Sequence, residues 1–105
     1  MSLRHSRWIW ILLLALVLAV IANSVAAQTV AQGAANGRVM YETYCGDCHY
    51  ERIHQRDRAR SKVSTLADLR AQITRWSAQT KRGYSPQELA DIAEYLNQSY
   101  YRLDK

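Results

Sequence analysis

The chain has 105 residues, 49% hydrophobic and 22% charged, with 14 Lys and Arg against 9 Asp and Glu. Two of those 14 basic residues, Arg4 and Arg7, belong to the N-terminal leader described next, which leaves 12 against 9. So small an excess gives no reason to expect nucleic acid as a partner and suits at most the docking of an acidic protein.

The N-terminus has the three-part plan of an export signal. Arg4, His5 and Arg7 form a basic start, and residues 8–22 are apolar, with Leu12, Leu13, Leu14, Leu16, Val17 and Leu18 at their centre. Val25, Ala26 and Ala27 then supply a small-residue cleavage site, so residues 1–27 read as a signal peptide. No charge occurs between Arg7 and Arg38. If cleavage does not take place, the same segment serves as a membrane anchor. Residues 28–36 are small and polar and read as a flexible tether. Residues 37–105 then form one small domain. A chain this short seldom completes a core from side chains alone and needs a staple.

The most informative residues are Cys45-Gly46-Asp47-Cys48-His49. Two thiols separated by two residues, with a histidine next to the second, mark a covalent attachment site for c-type haem. One helical turn brings Cys45 and Cys48 to one side, where each can add to a vinyl group of the porphyrin. His49 follows as the proximal axial ligand of the iron. A structural zinc site would need two more ligands, and there is no third cysteine. A thioredoxin-like pair would need a βαβ setting, and no segment alternates as a strand. The absence of a second such motif predicts one haem, which would also be the missing staple.

Val39, Met40, Tyr41 and Tyr44 form a short helical segment leading into the motif. Residues 50–63 look irregular and carry Arg52, Arg56, Arg58, Arg60 and Lys62, a basic run suited to an acidic redox partner or to a solvated loop. A helix is expected from about Thr65 to Gln79. Thr65 and Asp68 form its capping box, and Leu66, Leu69, Ile73 and Trp76 its apolar stripe. Trp76 is read either as a core aromatic or as a haem contact. Gly83 and Tyr84 break the pattern. A last helix starts with Ser85 as cap, Pro86 at its first position and Glu88 closing the box. Leu89, Ile92, Ala93 and Leu96 are its inward stripe, with Tyr95 beside them. The fold class is therefore all-α.

In two segments the chain resembles class I cytochrome c. One is Gly37-Arg38-Val39-Met40-Tyr41-Glu42-Thr43-Tyr44, running into Cys45. The other is Leu89-Ala90-Asp91-Ile92-Ala93-Glu94-Tyr95-Leu96-Asn97, similar to that family's C-terminal helix. The resemblance implies a small helical domain around one covalent haem. It also implies that the first and last helices cross, with Gly37 and Tyr41 meeting the helix that carries Tyr95 and Leu96. A glycine inside a helix costs about 1 kcal/mol and needs a packing reason of this kind.

One departure from the family bears on function. Its members supply a distal methionine from the loop before the last helix, and this sequence has only Met1 and Met40. The replacements open to it are Lys81 in that loop, His54, or an unfilled sixth position. The resemblance implies a periplasmic electron carrier served by redox partner proteins, and no enzyme in itself. The missing methionine leaves open a five-coordinate haem that binds NO, CO or O₂, or a haem subunit of a larger redox enzyme.

Overall fold

A computed structural model describes residues 2–48 and 51–103. Every regular element among the described residues is helical. The three α-helices are α1 (Ser2–Tyr44), α2 (Leu66–Ser77) and α3 (Pro86–Leu96). Short 3-10 turns cover Glu51–Gln55, Arg58–Arg60 and Ala78–Thr80, and a π-helical turn, Asn97–Tyr101, follows α3. The chain divides into two units, one ending at Val30 and the other starting at Ala31.

The first unit is the apolar part of α1. Its large side chains from Trp8 to Val25 are all exposed, so the helix presents no buried face. A helix apolar on all sides is suited to lipid rather than to one side of a core. Asn23 donates to the Ala19 carbonyl at 2.9 Å and Ser24 to the Val20 carbonyl at 3.0 Å. Folding polar groups back onto the preceding turn satisfies them within the helix itself. By length and composition, α1 is able to cross a membrane. This is compatible with a signal peptide or with an anchor.

The second unit holds the core. Leu69 of α2, Tyr41 of α1 and Ile92, Tyr95 and Leu96 of α3 form one buried cluster, with Met40, Leu66 and Ile73 packed against it. Leu69 and Ile92 are each 2% exposed, so each contributes about 1.5–3 kcal/mol of apolar burial. Gly37 is the crossing point of α1 and α3. A Cβ there would overlap the Asp91 carbonyl and crowd the Ile92 nitrogen. The Tyr41 and Tyr95 rings meet one turn further along, with centroids 5.8 Å apart.

Both expected capping boxes are present. Thr65 accepts from the Asp68 N–H at 3.1 Å while Asp68 accepts from the Thr65 N–H at 2.9 Å. Ser85 and Glu88 do the same at 3.1 and 2.8 Å, with Pro86 in the first turn. The chain turns back after α3 through Asn97, whose side chain accepts from the Leu103 N–H and donates to its carbonyl. Arg102 adopts the left-handed conformation there.

Two expectations are corrected. Residues 28–36 are not a tether but part of α1, and Gly33 already packs beside the Asp91 side chain. Trp76 is not a core aromatic: it is 48% exposed, with the Arg75 guanidinium over its ring at 5.6 Å. Gly83 and Tyr84 do lie in a non-helical stretch, which Lys81 opens with a φ of 58° in the left-handed region.

Candidate functional site

The Cys45–Cys48 segment hangs on the end of α1. The Tyr41 carbonyl accepts from both the Cys45 and the Gly46 N–H, at 2.9 and 3.0 Å, which closes the helix. The Cys48 N–H then bonds the Cys45 carbonyl at 3.3 Å. The motif is thus a tightened hydrogen-bonded turn rather than a further turn of α-helix. Gly46 suits the tightening, because a Cβ there would lie 3.0 Å from the Glu42 carbonyl oxygen.

Both thiols are free, Cys45 half-buried and Cys48 exposed. Burial pushes the Cys45 thiol above its ordinary pKa, and the neighbouring Cys48 charge adds to this. A hydrogen bond with Tyr84 acts in the opposite direction. His49 lies outside the described residues.

The Tyr84 contact joins the loop before α3 to the motif. Thr80 donates to the Tyr84 hydroxyl at 3.2 Å. The Arg82 guanidinium lies between two rings, 4.5 Å from the centroid of Tyr44 and 4.6 Å from that of Tyr84. It also pairs with Glu88 at 3.0 Å. The sequence assigned Arg82 no role, and Tyr84 only that of breaking a helical pattern. The available signal was an arginine and a tyrosine two apart in the loop before α3.

The two named distal candidates are placed differently. Lys81 is exposed and caps the 3-10 turn Ala78–Thr80. His54 is bonded through both ring nitrogens, Nε2 to the Tyr41 hydroxyl at 2.6 Å and Nδ1 to the Tyr101 hydroxyl at 2.8 Å. Ligation of iron by His54 would require one of these bonds to break. Among the described residues, no group of three or more His, Cys, Asp or Glu is assembled as a metal site. Cys45, half-buried, and Cys48, exposed, are both free thiols, the chemical groups that thioether formation requires.

Comparison with protein-family models, curated proteins and solved structures found no match.

Proposed function

We propose that the chain is an exported mono-haem c-type cytochrome that carries single electrons in the periplasm between redox partner proteins. The observation that carries this is the pair of free thiols, Cys45 and Cys48, on a turn closed by the end of α1 and followed by His49. The crossing of α1 and α3 at Gly37 supports the resemblance to class I cytochrome c, and the apolar part of α1 supports export or anchoring. Cys45 and Cys48 would hold the ring and His49 the iron. When bound, the haem supplies one-electron exchange between ferrous and ferric iron.

The protein's own contribution is to fix the attachment turn. The Tyr41 carbonyl anchors its backbone, and Tyr84 and Arg82 clamp the loop before α3 against it. The residues read here bind and orient a cofactor, and the chain is not proposed as an enzyme by itself.

A second reading is a five-coordinate haem that binds a small gas. It is favoured by the absence of methionine from the loop, together with the engagement of His54 and the exposure of Lys81.

The test is the Cys45→Ala, Cys48→Ala double variant, exported and run on a denaturing gel stained for haem. The native chain should keep its pigment through denaturation and the variant should lose it. Pigment that survives in the variant would overturn covalent attachment.

A further inference from the structure

The first unit has features that electron transfer does not use, and they bear on the fate of residues 1–27. The strictly apolar stretch, residues 8–22, makes only about 22 Å of helix. That is short of the roughly 30 Å hydrocarbon core of a bilayer. The polar residues that follow are turned back onto the helix itself. Asn23 donates to the Ala19 carbonyl and Ser24 to the Val20 carbonyl, each four residues back. Thr29 donates to the Ala26 carbonyl, three residues back. A polar side chain bonded within its own helix is tolerated in hydrocarbon. With those donors satisfied, the spanning stretch extends to residues 8–27, about 30 Å of helix.

The ends of this stretch are marked too. Arg4 and Arg7 precede it, and Trp8 and Trp10 open it, both exposed. Cations and indole rings belong at the headgroup level. Beyond Ala27 the first charge is Arg38. The basic excess therefore lies on the N-terminal flank, the side that stays in the cytoplasm.

The expected cleavage site lies inside the same helix. Val25, Ala26 and Ala27 are helical, and α1 continues unbroken to Tyr44. Further along, Gly33 is already packed beside the Asp91 side chain. Proteolysis acts on exposed, locally opened backbone. A site with helix on both sides must first break several hydrogen bonds to open.

We propose that α1 is retained as a transmembrane anchor, its cleavage site protected by the helix, with residues 8–27 across the bilayer and the second unit outside. The partner is the lipid itself. It covers the large apolar side chains from Trp8 to Val25, none of which is buried by the protein. The anchor rests on α1 alone and holds whether or not haem is bound, so pigment and anchoring are read separately.

The experiment is intact-mass spectrometry of the full chain, carrying a C-terminal tag and recovered from the membranes of a Gram-negative host after an alkaline carbonate wash. The native chain should stay in the membrane through the wash and retain residues 1–27. Protease added to spheroplasts should remove the tag. Ser24→Pro deletes a helical N–H and sets a ring against the Val20 carbonyl, which breaks the helix just before the cleavage site. That variant should lose residues 1–27 and appear in the osmotic-shock fluid as a chain starting at Gln28. A native chain that starts at Gln28, that leaves the membrane in carbonate, or whose tag is protected in spheroplasts would overturn the anchor. A Ser24→Pro chain as uncut as the native one would overturn protection by the helix.

Discussion

Gly37 of α1 lies against the backbone of Asp91 in α3 so closely that no side chain fits between them. This contact sets the spacing of the two helices, and with it the meeting of Tyr41 and Tyr95 one turn later. Because Tyr41 also closes the helix ahead of Cys45, the crossing and the Cys45–Cys48 turn are mechanically linked.

Gly37→Ala should therefore destabilise the domain. The obstacle is backbone, which cannot rotate aside, so the cost should reach at least the 1–3 kcal/mol typical of overpacking. Gly83→Ala is the control. Its surroundings are open, and the change should stay within about 0.5 kcal/mol. Urea unfolding of the two variants checks the pair; equal midpoints would refute the close contact.

The helix starts should behave independently. Thr65→Ala and Ser85→Ala each remove a side-chain acceptor for a helical N–H. Each should cost about 1 kcal/mol. The two caps share no hydrogen-bond partner, so the double variant should show the sum to within about 0.5 kcal/mol.

The same caps determine an acid dependence. The Asp68 carboxyl is held below its ordinary pKa, first by the Ser64 N–H and then by Thr65. Glu88 is held low first by Arg82 and then by the Ser85 N–H. A carboxylate depressed in the folded state stabilises it above the unfolded pKa, about 4 for these groups. That contribution is lost as pH falls through the folded values. Stability should thus fall on acidification below about pH 4, and Asp68→Asn should flatten that slope. Thermal melts across pH 2–6, a window chosen around the unfolded carboxylate values, provide the measurement. An identical slope in the variant would remove Asp68 from the account.

Much of this architecture is written locally. Both capping boxes, Pro86 and the stripe of Ile92, Ala93 and Leu96 announce themselves through neighbours three and four residues apart, and the structure follows them. The contact at Gly37 was implied by the resemblance to class I cytochrome c, and a glycine amid helix formers is consistent with it. What escaped the sequence depends on contacts between distant segments. His54 meets Tyr101 across 47 positions and Tyr41 across 13. Arg82 finds Tyr44 and Tyr84 only once the loop has folded onto the end of α1. Residues 28–36 misled because small polar residues resemble a linker, whereas here they continue α1 and bring Gly33 to Asp91. Trp76 fits the helical period of its stripe, yet it lies half-exposed under Arg75.

The thiols should differ in reactivity before any cofactor is attached. In haem-free chain kept reduced, exposed Cys48 should alkylate faster than half-buried Cys45. Tyr84→Phe removes the hydrogen bond that lowers the Cys45 pKa and should slow Cys45 further, leaving Cys48 unchanged. Mass spectrometry of peptides after timed iodoacetamide treatment separates the two sites. Equal slowing of both thiols would count against a specific Tyr84–Cys45 contact.

The most direct measurement is the absorption spectrum of the exported protein, oxidised and dithionite-reduced, with and without CO. A c-type haem spectrum that changes on reduction is expected, and if CO leaves it unmoved, a sixth ligand is present and electron transfer is supported. A reduced spectrum that shifts at once with CO would transfer the case to gas binding. An exported, folded protein with no haem absorption in either state would contradict the central claim.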